Sequence, residues 1–141
     1  MSEPTERWGS CLCGQISVIA TPTAQSVGAC HCSMCRKWGG GPFMTVDCGT
    51  EVTFRGEEHV SVFDSSEWAE RGFCSKCGGH LFYRIKGTGR YIMAAGIFEG
   101  DETWVFDHQV FIDEKPGYYD FKNETQDLTG AQVFAMFAEP G

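Results

Sequence analysis

No apolar run in the 141-residue sequence is longer than a β-strand, so no stretch of it can cross a membrane as a helix. Residues Met1 to Arg7 have no apolar core, and no export signal is expected there. Basic residues are scarce: Lys and Arg total 11 against 19 Asp and Glu, a formal charge of −8. That balance argues against a broad basic face that grips nucleic acid through its phosphates, so neither nucleic acid nor membrane is an expected partner. Its simplest consequence is solubility. Internal repeats, low-complexity tracts and linkers are also missing. At this length one domain, 1–141, is expected.

Aromatic residues and cysteines are plentiful. Eleven Phe, four Trp and four Tyr favour a β-rich fold. Without an export signal the expected compartment is the cytoplasm, where thiols stay reduced. Eight cysteines there predict metal ligands or reactive thiols rather than disulfides.

Short alternating segments broken by glycine predict strands at Gln15–Ala20 (Ile16 and Val18 on one face), Phe43–Val46, His80–Ile85, Arg90–Ala95, Thr103–Phe106 and Gln109–Ile112. Glu51–Arg55 and His59–Phe63 predict a hairpin through Gly56, with Val52 and Phe54 opposite Val60 and Val62 or Phe63. Only the tail predicts a helix. There Thr129-Gly130-Ala131-Gln132 has capping-box spacing before Val133, and Pro140 ends the run. One mainly β, mainly antiparallel domain with a short C-terminal helix is the expected architecture.

Seven of the eight cysteines fall into three groups: Cys11-x-Cys13, Cys30-x-Cys32-x-x-Cys35 and Cys74-x-x-Cys77. Two thiolates one or two residues apart lie on one side of a tight loop and can grip a single ion. Gly14 and Gly78-Gly79 follow two of the groups, where the backbone must turn and aim its amides at sulfur. Buried cysteines that merely pack as small hydrophobes rarely come as such pairs.

Seven ligands suggest four plus three. Cys11, Cys13, Cys74 and Cys77 would close one structural zinc site, and Cys30, Cys32 and Cys35 would leave a second zinc with an open position. Two closed sites that recruit His31 or Cys48 also fit the spacing. Three thiolates make zinc a weak Lewis acid, suited to holding an incoming thiol as thiolate. The chemistry to expect is thiolate attack on a small electrophile.

Three segments carry a specific resemblance, in this order: Gly9-Ser10-Cys11-Leu12-Cys13-Gly14, Cys30-His31-Cys32-Ser33-Met34-Cys35-Arg36-Lys37 and Arg71-Gly72-Phe73-Cys74-Ser75-Lys76-Cys77-Gly78. The chain resembles the glutathione-dependent formaldehyde-activating enzymes, a family that includes the centromere protein V domain, over about residues 9–121. The resemblance implies a β-tent zinc fold. It implies structural zinc at Cys11, Cys13, Cys74 and Cys77, and a labile second zinc at Cys30, Cys32 and Cys35, where glutathione binds as cosubstrate. The implied reaction adds glutathione thiolate to formaldehyde, giving S-(hydroxymethyl)glutathione, a carbon–sulfur lyase run in reverse. The founding enzymes are longer at both ends, and Cys48 lies outside the three motifs, so fold and zinc transfer more readily than the substrate. A non-catalytic zinc and glutathione carrier, or a zinc-stabilised interaction module, are the alternative functions.

Glutathione has two carboxylates, so an acidic protein must offer local cations. Arg36 and Lys37 are the candidate glutathione-binding residues, with Lys76 and Arg71 close by. His31 is expected to act structurally rather than as a ligand, since adjacent side chains diverge, and His108 to pack or hydrogen-bond. Gly39-Gly40-Gly41 reads as a flexible lip flanked by Trp38 and Phe43. Cys48 reads as a buried or free thiol.

Overall fold

A computed structural model describes residues 6–22, 25–100 and 104–137. Its strands in chain order are β1 (Arg7–Ser10), β2 (Ser17–Ala20), β3 (Ser26–Cys30), β4 (Phe43–Asp47), β5 (Val52–Arg55) and β6 (Val60–Phe63). There follow β7 (Ala69–Cys74), β8 (His80–Ile85), β9 (Arg90–Ala94), β10 (Val105–Val110) and β11 (Gln126–Leu128). Helix α1 (Ser33–Gly39) lies between β3 and β4, and α2 (Gly130–Phe137) follows β11. The strands form a small sheet, β1-β2-β5, and a large one, β11-β10-β3-β4-β9-β8-β7-β6.

Alternation in β2 works as the sequence predicts. Ile16, just before it, and Val18 are both fully buried, packed with Val46, Leu81 and Met93 of the large sheet. Phe54 of β5 adds a ring to this layer, 5.6 Å from both Phe82 and Tyr91. The opposite face of β8 presents Tyr83 towards Phe43 and Trp68, at 6.3 and 6.2 Å. One face of the large sheet therefore carries the small sheet, and the other faces the aromatic wall.

Pairing is mainly antiparallel, but β10 runs parallel to both β3 and β11. The hairpin predicted through Gly56 does not form. Instead β5 pairs with β2 and β6 with β7, on separate sheets. Gly56 still turns the chain, at φ +80°, but a Cβ there would lie 2.0 Å from the Gln15 carbonyl oxygen. The turn is packed against the end of β2, which carries β5 away from β6. Thr103–Phe106 and Gln109–Ile112 were expected as two strands. The described part is one strand, β10, with an irregular register between Phe106 and His108, and Ile112 already begins a 3-10 turn.

Helix α1 was not expected from the sequence. Cys32 caps it in extended geometry, its sulfur accepting from the Cys35 N–H at 3.3 Å, in the role usually taken by Ser, Thr, Asp or Asn. Gly40, at φ +88°, ends it, so the expected flexible lip is in part a helix terminus.

The tail helix starts as its capping box predicts. The Thr129 N–H donates to Gln132 Oε1 at 2.7 Å, and the Gln132 N–H donates to Thr129 Oγ1 at 3.2 Å. Pro140 lies outside the described residues. Thr129→Ala removes one half of this box and is expected to lower the unfolding free energy by about 1 kcal/mol. Urea denaturation followed by tryptophan fluorescence measures the change.

Candidate metal centres

Two tight loops build the first centre. After β1, the Cys11 N–H donates to the Ile16 carbonyl at 3.1 Å, and Gly14 turns in the left-handed region to reach the Cys11 carbonyl at 3.2 Å. After β7, the Cys74 N–H donates to the Gly79 carbonyl at 2.9 Å and the Gly78 N–H to the Cys74 carbonyl at 2.7 Å. Each loop aims an amide at sulfur: Ile16 N–H at Cys11 Sγ (3.4 Å) and Lys76 N–H at Cys74 Sγ (3.3 Å). Backbone N–H groups of Gly79 and Cys13 bring the Cys77 thiol down to about 6.

The sulfurs of Cys11, Cys13, Cys74 and Cys77 lie within 4.8 Å of one another. Cys11 and Cys13 Sγ are 3.6 Å apart, and Cys13 and Cys74 Sγ 3.8 Å. A tetrahedron with Zn–S arms of about 2.3 Å has edges of roughly 3.8 Å. The donor set and its spacing thus fit one four-coordinate ion.

The second group forms where β3 meets α1. Cys30, Cys32 and Cys35 are buried, with their sulfurs again within 4.8 Å of one another. Hydrogen bonds from the Cys30 and Cys35 thiols, with the Cys35 N–H and the Arg71 charge, push the Cys32 thiol down to about 2. Its bonds to Cys32 and Cys35, and burial, push Cys30 up. This group accordingly favours a thiolate at Cys32. The three sulfurs could hold a metal with a vacant fourth position, since no His, Asp, Glu or further Cys joins them among the described residues.

His31, next in sequence to two of these cysteines, is fully buried and both its ring nitrogens are engaged. Nε2 donates to Gln109 Oε1 and Nδ1 accepts from the Tyr119 hydroxyl, each at 2.7 Å. Burial lowers its pKa, in keeping with a neutral ring. Its place is structural, as expected. Cys48 lies apart from both groups in the main core. Burial, helped by the Asp47 charge, pushes its thiol up to about 12.

The candidate cations have different positions. Arg36 Nε donates to the His31 carbonyl at 2.9 Å. Lys37 lines an open cavity of about 270 Å³ with Met34, Trp38, Phe63, Ser65 and Arg71. Arg71 is only 3% exposed, and its Nη1 lies 3.5 Å from Cys35 Sγ. Its guanidinium sits 5.1 Å from the Trp38 ring centre and 5.7 Å from that of Tyr83, while Nε has no hydrogen-bond partner. Trp38 in turn stacks on His80 at 3.9 Å and meets Phe43 edge-on at 5.4 Å.

Sequence reasoning missed Tyr83. Burial and the charges of Cys30, Cys35 and Cys32 push its phenol well above the usual range, so it remains protonated beside them.

Residues 6–114 match the sequence model of the glutathione-dependent formaldehyde-activating enzyme family. An uncharacterized lyase of Schizosaccharomyces pombe is 39% identical over 126 residues, which are 89% of this chain and 92% of that protein. A Halomonas elongata protein, provisionally named a glutathione-dependent formaldehyde-activating enzyme, is 30% identical over 83 residues, 52% of this chain and 53% of its own. Among solved structures, a Rhodobacter sphaeroides protein has a similar fold, with a TM-score of 0.58 and 22% identity. The match covers 66% of this chain and 88% of that one.

Only thiolate sulfur alkylates readily. Cys48 is therefore expected to escape iodoacetamide at about pH 8 in the folded protein and to react once the chain is unfolded, as read by peptide mass spectrometry. Modification of Cys48 in the native state would show that its thiol is open to water.

Proposed function

The chain belongs to the glutathione-dependent formaldehyde-activating enzyme family, and from that premise we propose that it is a carbon–sulfur lyase-type enzyme. In the direction of synthesis it adds glutathione thiolate to formaldehyde or a similar small electrophile. With formaldehyde the product is S-(hydroxymethyl)glutathione.

The observation that carries this reading is the difference between the two sulfur groups: four donors in one, three in the other beside an open cavity. Cys11, Cys13, Cys74 and Cys77 would hold one zinc as a closed structural tie. Cys30, Cys32 and Cys35 would hold a second. Zinc there supplies a position at which a thiol is held in its nucleophilic, deprotonated form.

The chain's own residues do the rest. Arg71 Nη1, against Cys35 Sγ, offsets negative charge on the three sulfurs. Lys37 and Arg71 offer cations within one cavity, where the carboxylates of glutathione can be met, and Met34 and Trp38 wall its apolar part. Arg36, bonded to the His31 carbonyl, holds the loop that carries Cys30 and Cys32. Addition forms a C–S bond, sends the carbonyl π pair to oxygen, and adds a proton there, while the thiol's proton leaves to solvent.

Elemental analysis of protein prepared without chelator is expected to find about two zincs per chain, one of them lost on dialysis against glutathione. Exchange NMR of glutathione with formaldehyde is expected to run faster with the protein than in buffer alone. Cys32→Ser should leave one zinc and no acceleration. Lys37→Ala should raise the glutathione concentration for half-maximal exchange about tenfold, the loss of one charge-assisted contact. A single tightly held zinc indifferent to glutathione would replace the enzyme with an interaction module. Glutathione binding without acceleration would make the protein a carrier.

A further inference from the structure

A second, more enclosed cavity of about 150 Å³ lies under α2, on the same face of the large sheet as the three-cysteine group. Ile92, Val110, Leu128 and Val133 give it apolar walls, with Tyr83 and Met136 beside them. Val110, Leu128 and Val133 also pack against Cys30, Cys32 and Cys35, so the cavity and the sulfur group share a wall. Strand register fixes its direction. Cys30 pairs with Val110 and Gly28 with His108, so the floor runs along β3 and β10 from Val110, beside Cys30, for two residues, about 7 Å.

Polar groups also line it: Ser26, Thr45, His108 and Asp47, whose carboxylate is paired with Arg90. Ser26 Oγ donates to Asp107 Oδ2 at 2.7 Å, and Asp107 Oδ1 lies 2.7 Å from His108 Nδ1. The imidazole is thereby held with Nε2 over Gly28, where a Cβ would come within 2.1 Å of it. Only glycine lets the ring lie there. The arrangement is a largely apolar slot that shares three wall residues with the sulfur group and ends on a positioned hydrogen-bonding nitrogen.

Formaldehyde has too few atoms to use such a space. A cavity of about 150 Å³ holds a ligand the size of benzene, about six non-hydrogen atoms. We propose that this cavity receives the carbon chain of the electrophile, and that the substrate class is aliphatic aldehydes of about four to six carbons. The inference rests on the reading that the three-cysteine group presents a thiolate. The step is an addition without redox change. The sulfur lone pair forms the C–S bond, the carbonyl π pair passes to oxygen, and that oxygen gains a proton as the thiol proton is lost to solvent. The product is a hemithioacetal.

The test has two readouts on zinc-loaded protein. Butanamide, an unreactive stand-in of about six non-hydrogen atoms, is expected to shift the methyl resonances of Ile92, Val110, Leu128 and Val133 at millimolar concentration. Met136→Trp, at the half-open rim, should weaken that binding at least tenfold. With glutathione, exchange NMR should show butanal accelerated at least as strongly as formaldehyde, and Met136→Trp should lower the butanal-to-formaldehyde ratio at least tenfold. Acceleration of formaldehyde alone, with no butanamide shifts, overturns the cavity assignment and leaves the proposed function standing. Acceleration of neither aldehyde overturns the proposed function and, with it, the assignment of this cavity to an electrophile, whatever butanamide does.

Discussion

Thiolate sulfurs repel one another, and packing alone does not gather seven cysteines into two tight clusters. The rest of the fold is arranged around removing that repulsion. Amides of Ile16, Lys76 and Cys35 point at sulfur, and Arg71 lies against Cys35. These donors lower the penalty but do not cancel a full charge on every sulfur, which is why the tetrahedral spacing in the first group matters. A divalent cation there would neutralise charge and join loops 61 residues apart in sequence. It would tie the N-terminal hairpin of the small sheet to the β7–β8 turn of the large one. The apolar contacts of Ile16 and Val18 then close the seam between the sheets.

The two centres differ in what surrounds them. The first is ringed by backbone turns at the protein's edge, with Cys13 exposed. The second sits where a strand, a short helix and the aromatic wall meet. A buried guanidinium and a phenol that stays protonated lie against it, and residues that pack around it also line two cavities. A charge change at these sulfurs is felt by groups already fixed in place, which is the condition for electrostatic preorganisation.

Much of this was legible because it depends on spacing within a few residues. The paired cysteines, the glycines that follow them, the Thr129–Gln132 box and the Ile16/Val18 face are local patterns, and each took the form expected. What escaped depends on partners distant in sequence. Helix α1 is short and opens on Cys32, a residue not counted among cap formers, whose sulfur takes that role by accepting from the Cys35 N–H. Val52–Arg55 and Val60–Phe63 look like a hairpin locally, but β2 and β7 compete for them and win. The split at Asp107 hid a single strand behind a change of register. Tyr83 could not be found by pattern at all, because its importance comes from three sulfurs on other elements.

Net charge says little about the ligand. At physiological salt, exposed charges more than about 8 Å away are largely screened, so a formal −8 spread over the surface says little about one cavity. The local count is what acts. Two cations, Lys37 and Arg71, line the larger cavity, and no acidic side chain shares it. Among the described residues Arg71 makes no ion pair with a carboxylate, and its nearest negative neighbour is sulfur. An anionic thiol entering there would meet positive charge first and reach the three sulfurs only as it seats. The smaller cavity, with its apolar walls and its distal imidazole, shares Val110, Leu128 and Val133 with the packing around the same group. The two cavities therefore differ in character, one offering cations and the other mostly apolar side chains.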